Sequence, residues 1–321
     1  MKKQHGVALI TILVMVALAT ILAAGIARQQ ALSQENTAYL MRQNQALLYA
    51  KSAEAFFIEL LQDDARTSAD VDHALEVWAQ PMPAFPVENG TIQGQLQDES
   101  GKFNLNSLLK EDGSVNEVNK LCFERLLKQL GLSTQLSEAV IDWQDVDDLP
   151  VGSMGAESNF YAAKKNPYFA ANTLFHDIAE LKQVRGFEGE NYQKIAPYIA
   201  ALPDVKSTIN INMAPAIVLA SLADTLDATR IQDELDAQKK RFEFFEQAEQ
   251  LWELNAFQAV TQEQRSSVAT LLSVKTEYFS AHIEANIDGR KRMLNSRLVR
   301  DKETVRVISR NLLPKYDGVM Y

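Results

Sequence analysis

The sequence predicts an α+β protein: a long N-terminal α-helix carries a small antiparallel sheet, and a large all-α insertion interrupts that sheet. Three observations predict it. An apolar run from Val7 to Ala27 passes into an amphipathic helical pattern with nothing to break it, since the first proline is Pro81. Strand-like alternation occurs in two places far apart in the chain, one on each side of residues 105–272. Between those flanks the apolar residues recur at helical spacing.

The apolar run measures about 31 Å as a helix at ~1.5 Å per residue, the thickness of a bilayer's hydrocarbon core, and no charge interrupts it. It reads as a membrane span (7–27). Lys2 and Lys3 on its short side keep the N-terminus cytoplasmic and send everything after Arg28 across. Only Gly25 loosens the rod that begins in the span, and residues 28–62 continue it with a greasy stripe of Leu32, Tyr39, Leu40, Leu47, Leu48, Phe56, Phe57, Leu60 and Leu61 among Arg42, Glu54 and Glu59. From Val7 to Leu61 this rod is about 80 Å long.

That stripe needs a cover. Segments 63–104 and 273–321 supply it: "NGTIQGQLQDES" follows the linker "PMPAFP" and alternates as a half-exposed strand, while "EYFSAHIEANI", "RKRMLNSRLVR" and "ETVRVISR" read as three strands, the first two joined by a "DGR" turn. The insertion, 105–272, contains "VNKLCFERLLKQLGL", "LSEAVIDWQDV", "TLFHDIAELKQV", "APAIVLASLADTL" and "RIQDELDAQKKRFEFFEQAEQLWEL". Two of its segments, "HDIAELKQVRGF" and "NMAPAIVLASLAD", resemble each other as short helices entered through polar residues, in the style of helix-hairpin-helix or sterile-alpha-motif-like packing units.

A formal net charge of −10, more negative still without the two leading lysines, disfavours nucleic acid and anionic lipid as partners of the soluble part. No G-x-G hairpin accompanies the helical units. Cys122 is the one cysteine, so no intramolecular disulfide forms, and "LCFERLL" reads as a buried apolar setting for it. The four histidines, His5, His73, His176 and His282, are scattered, and no nucleophile motif, P-loop or zinc pattern appears. The chain reads as a non-enzyme with no catalytic residues.

The densest chemistry is acidic. "IDWQDVDDLPVGSMGAE" gathers Asp142, Asp145, Asp147, Asp148 and Glu157. It is not an EF-hand, because Pro150 stands where that loop needs glycine and Ala156 where it needs the bidentate glutamate. Two readings remain: a looser loop in which these carboxylates and free backbone carbonyls hold a hard cation, or a solvated acidic loop.

The short basic leader ending in Gly6, the apolar helix continuing as a spine and the strand domain behind it resemble the type IV pilin-like proteins. Within that group "GKFNLNSLL", "DWQDVDD" followed by "GAESNFY", "DIAELKQVRGF" and "INMAPAIVLASL" resemble the K-type minor pseudopilins of type II secretion, also called general secretion pathway protein K. The resemblance covers essentially the whole chain. It implies a pilin-like fold with a helical insertion, calcium bound in that insertion, and a single-pass inner-membrane protein with its main domain in the periplasm. It implies that prepilin peptidase removes residues 1–6 by cutting between Gly6 and Val7 and that Val7 is then N-methylated. The implied role is to initiate and cap the periplasmic pseudopilus for export of folded proteins. Its implied partners are the I-type and J-type minor pseudopilins and other pseudopilins of the fibre, with the outer-membrane secretin a further candidate and nucleic acid none. Most pilins carry glutamate where this chain has Thr11, a departure that marks a subunit with no neighbour ahead of it. The rival reading is a tip or DNA-binding minor pilin of a type IV pilus or competence machine.

Overall fold

The computed structural model describes residues 5–67 and 70–312. Expectations about residues 1–4 of the leader and about 313–321 lie outside the described residues. In chain order the elements are α1 (His5–Thr67), β1 (Phe85–Val87), β2 (Gly90–Asp98), β3 (Phe103–Asn104), α2 (Glu117–Gln129), α3 (Leu136–Gln144), α4 (Ser158–Ala162) and α5 (Glu190–Ile195). There follow β4 (Ile199–Ala200), β5 (Ile209–Asn210), α6 (Ala216–Ala220), α7 (Ala228–Lys240), α8 (Gln262–Val268), β6 (Leu272–Ser273), β7 (Tyr278–Ile287), β8 (Arg290–Asp301) and β9 (Thr304–Asn311). The α+β architecture and the long helix agree with the reading of the sequence.

The helix α1 is one unbroken element of 63 residues, about 95 Å at ~1.5 Å per residue. From Val7 to Thr37 every side chain is exposed; beyond that, Ala46, Ala50, Phe57 and Leu61 are buried at helical spacing. This stripe meets Ile92, Leu96, Ile283, Leu294 and Leu298 on one face of the sheet. The two alanines keep the helix axis close to the strands. Phe57 seats on Gly94, where an added Cβ would stand 2.9 Å from its ring and 3.0 Å from the His282 carbonyl.

The sheet is antiparallel in the order β1-β2-β7-β8-β9. At the end of the "PMPAFP" linker the sequence conceals β1, a short edge strand whose Pro86 is tolerated because one side of it pairs with nothing among the described residues. The β7–β8 turn at Asp288 and Gly289 has φ of 48° and 75°, the left-handed pair that a two-residue hairpin requires. β2 and β7 are bonded neighbours, with Asp98 opposite Phe279, so the chain leaves the sheet and returns to it at adjacent points. A large insertion therefore adds little closure cost to the sheet.

The insertion has its own core, running from Phe103 to Leu272, and it is built as two similar modules. In the first, β3 opens the module and pairs in parallel with β4, which closes it; in the second, β5 and β6 do the same. Asn106 accepts from the Phe175 N–H and donates to the Phe175 carbonyl, and Asn212 clasps both backbone groups of Phe245 in the same way. Each clasped phenylalanine precedes a short 3-10 helix with a capping box, at Asp177 with Glu180 and at Gln247 with Gln250. The repeat thus relates "FHDIAEL" to "FEQAEQL", not "HDIAELKQVRGF" to "NMAPAIVLASLAD", because what recurs is the asparagine clasp and the capped turn, neither of which leaves a helical period.

The insertion is tied to the far end of the sheet by buried polar groups. Arg300 on β8, 10% exposed, pairs with Asp64 of α1 at 2.8 Å and with Asp72, donates to the Thr276 carbonyl at 2.7 Å, and stacks on Phe279 at 5.0 Å. Asp98 accepts from Thr276 Oγ and the Gly101 N–H, and Asn210 donates to the Asp72 carbonyl at 3.1 Å. Removing one partner of a buried ion pair leaves an uncompensated charge. Arg300→Met should lower the stability of the detergent-solubilised chain by about 3–5 kcal/mol, read as a shift of the urea midpoint in circular dichroism; a shift equivalent to less than about 1 kcal/mol, the worth of a surface pair, would show that this junction is solvated.

Candidate metal centre

Asp142 and Asp145 lie three residues apart at the C-terminal end of α3, hence on one face. Pro150 and the left-handed Gly152, at φ 64°, turn the chain back, and α4 begins at Ser158 with Glu157 in the N-cap position. An N-cap carboxylate ordinarily accepts from its own helix, but Glu157 makes no such bond and is 3% exposed. It points instead at the α3 pair. One oxygen from each of Asp142, Asp145 and Glu157 lies within 4.8 Å of the others.

The loop is held in this shape from both sides. Glu138 accepts from the Met154 N–H at 2.7 Å, Asp142 accepts from the Val151 N–H at 3.0 Å, and Arg185 donates to the Gly155 carbonyl at 3.1 Å. At Gly155 a Cβ would collide with the Val151 carbonyl and the Asp142 carboxylate, so a backbone without a side chain is required there. Behind the carboxylates Trp143 packs edge-on against Tyr161 at 5.3 Å, and Tyr161 stacks on Tyr168 at 5.1 Å.

Three like charges so placed raise one another's proton affinity. Burial, followed by hydrogen bonds that oppose it and the neighbouring acids that add to it, puts Asp142 at about 6. Burial first, then the adjacent carboxylates, puts Asp145 and Glu157 at about 7. Both Glu157 oxygens and Asp145 Oδ1 are buried without a hydrogen-bond partner among the described residues. Orphaned buried carboxylate oxygens are costly unless a proton or a cation answers them. With only oxygen donors in the set, the group suits a hard divalent ion such as calcium rather than zinc or copper.

Of the five acidic residues singled out in the sequence, the structure brings together Asp142, Asp145 and Glu157. Asp147 and Asp148 are exposed on the loop, where Asp147 accepts from the Leu149 N–H at 2.8 Å. A second trio, Asp64, Asp72 and Glu76, also clusters, but Arg300 already answers it. Cys122 is buried and its thiol is pushed up to about 11 by burial, an inert apolar residue in practice. His73 stacks on Phe244 at 3.8 Å, and no histidine joins either acidic group among the described residues. Val7 lies in the first turns of α1, and the Thr11 hydroxyl donates to the Val7 and Ala8 carbonyls of its own helix at 3.1 and 2.9 Å. The buried Asn104, Asn106 and Asn210 and the half-buried Asn212 are absent from the expectations above, although "FNLNSL" and "NINM" carry a legible signal, an Asn-x-Asn among apolar residues.

The family model described as "Type II secretion system (T2SS), protein K" matches residues 101–204. "Type II secretion system protein K" of Pseudomonas aeruginosa is 32% identical over 96% of this chain and 93% of its own length. The protein of the same name from Aeromonas hydrophila is 31% identical over 97% of each chain. In the solved GspK-GspI-GspJ complex from the type 2 secretion system of enterotoxigenic Escherichia coli, one chain superposes with a TM-score of 0.77 at 24% identity, covering 86% of this chain and 98% of that one; this similarity concerns the fold.

The raised carboxylates set a pH dependence for the metal-free protein. Their folded values lie above the roughly 4 of an unfolded carboxylate, so the stability they contribute is fully present below pH ~4 and is lost as pH rises through ~6 to 7. In chelator, the melting temperature of the insertion should fall between pH 5 and pH 8, and Asp145→Asn should flatten that fall; an unchanged slope in the variant would mean the group is solvated.

Proposed function

This chain belongs to the type II secretion system protein K family and is a minor pseudopilin of that system, and we propose that it initiates the periplasmic pseudopilus and remains at its tip during export of folded proteins. The observation that carries this reading is the position of the insertion. It leaves and rejoins the sheet at Asp98 and Tyr278, beside the Asp64 end of α1, whereas the apolar residues that would enter the membrane form the opposite end of the same helix. A body of some 180 residues on that end occupies the space where a subunit ahead would stack, which suits the leading position and no other.

The remaining parts fit one sequence of events. Prepilin peptidase cuts between Gly6 and Val7, the apolar helix stays in the inner membrane with its N-terminus cytoplasmic, and Val7 is methylated. Thr11 satisfies its hydroxyl within its own helix and so needs no partner in hydrocarbon, whereas a glutamate there would need the amine of a subunit ahead. The partners are the I-type and J-type minor pseudopilins, named with the K-type chain in the solved complex. Calcium is held by Asp142, Asp145 and Glu157, where it supplies positive charge to oxygens that otherwise face one another; the chain has a structural rather than a catalytic task for it.

Two measurements test this. Gold labelling of the insertion on native fibres should mark only the end distal to the inner membrane; regular labelling along the shaft would overturn the tip assignment. Calcium at a hundredfold excess over its dissociation constant should add about 2.7 kcal/mol to the insertion, raising its melting temperature by about 5–10 °C for a domain of this size. Glu157→Gln should abolish most of that rise, and a wild-type protein indifferent to chelator would remove calcium from the account.

A further inference from the structure

At the end of the sheet nearest the membrane-spanning part of α1, helix and strands part company and leave a cavity of about 340 Å³. Its walls are Tyr39, Gln43 and Ala46 of α1 and Arg290, Lys291 and Arg292 at the start of β8. The period-two alternation of β8 puts Arg290 and Arg292 on the same face as buried Leu294, Ser296 and Leu298, so both arginines project toward the helix where the apolar core would otherwise continue. In a chain with a net charge of −10 this is a local concentration of the opposite sign.

The cations are unequally answered. At the rim Arg42 pairs with Asp288 at 3.3 Å, and Lys291 pairs with Glu284 at 3.0 Å. Arg290 lies over the Tyr39 ring at 5.4 Å, and the Tyr39 hydroxyl accepts from Gln43. Among the described residues Arg292 has no ion pair, and its buried Nε has no hydrogen-bond partner. A guanidinium offers a planar fork of donors that a carboxylate fills with two parallel bonds.

We propose that this cavity receives an aspartate or glutamate side chain of the neighbouring pseudopilin that lies between this subunit and the membrane. The inference rests on the tip reading above, under which every fibre neighbour lies on this side of the molecule. Distance excludes a lipid phosphate as the occupant. Tyr39 stands 12 residues beyond Ala27, about 18 Å along the helix, while the headgroup layer extends only ~5–8 Å past the hydrocarbon. The overall negative charge does not forbid the contact, because charges more than ~8 Å away are largely screened at physiological salt.

The test places a photo-crosslinking phenylalanine analogue at Gln43 of the full chain in cells that assemble the fibre, with the adduct sequenced by mass spectrometry. The expected adduct is a peptide of another pseudopilin containing Asp or Glu. Combining the probe with Arg292→Gln should lower its yield about tenfold, the equivalent of ~1.4 kcal/mol, with no change in melting temperature. An adduct to lipid, an adduct to residues 313–321 of the same chain, no adduct, or a yield indifferent to Arg292→Gln overturns the proposal. If distal labelling of the insertion persists in those cells, only the cavity assignment falls; if labelling moves to the shaft, the tip reading falls first.

Discussion

Everything outside the membrane-spanning segment hangs on the contact between one stripe of α1 and one face of a five-stranded sheet. Ala46, Ala50, Phe57 and Leu61 are the helix side of that contact, and Trp78 from outside the sheet packs into the same seam. An isolated helix of this kind is only marginally stable outside a bilayer, and packing of its apolar stripe is what makes it rigid. Within this apolar seam the buried Glu54 pairs with Arg310 at 2.7 Å and accepts from Ser296, which pins β8 and β9 to one height on the helix. A one-residue slip would bury a charge against nothing.

From that seam the two ends of the body acquire different character. At the Asp64 end the polar groups are matched: Arg300, Asp64, Asp72, Thr276, Asp98 and Asn210 satisfy one another, and the insertion is joined stiffly to the sheet. At the Tyr39 end they are not, since Arg292 faces a cavity with no counterion among the described residues. Matched polar groups suit a permanent joint within one chain, and an unmatched cation suits a joint still to be made with another. This asymmetry is what a subunit needs if it has neighbours on one side only.

The acidic loop follows a similar logic inside the insertion. Its three carboxylates are set by helix ends, the last turn and C-cap of α3 and the N-cap of α4, rather than by the middle of the loop between them. Positions on helix ends are precise, so the oxygens converge whether or not anything neutralises them, and the cost appears as raised proton affinity. The exposed Val146 and Leu149 between them bury nothing, so the loop has little apolar packing of its own and takes its shape from the bonds made by Glu138, Asp142 and Arg185.

Sequence alone determined what depends on local periodicity and local chemistry. The absence of proline before Pro81 made α1 one rod, period-two runs made β2, β7, β8 and β9, and Asp288–Gly289 made the hairpin, since each needs only neighbouring residues to specify it. The acidic segment from Asp142 to Glu157 was visible as a cluster, and its failure to match an EF-hand was visible from Pro150 and Ala156. Tertiary structure decided which carboxylates converge, because Asp147 and Asp148 sit as close in sequence as their neighbours but lie beyond the end of α3, facing solvent. It also decided the two-module plan of the insertion, which rests on asparagine clasps joining residues 33 and 69 positions apart. The cavity beside Tyr39 was hidden for the same reason: Arg290 and Arg292 read as ordinary exposed cations until the strand's register with α1 turns them inward, and register across 250 residues is fixed by packing of the whole sheet rather than by any local pattern.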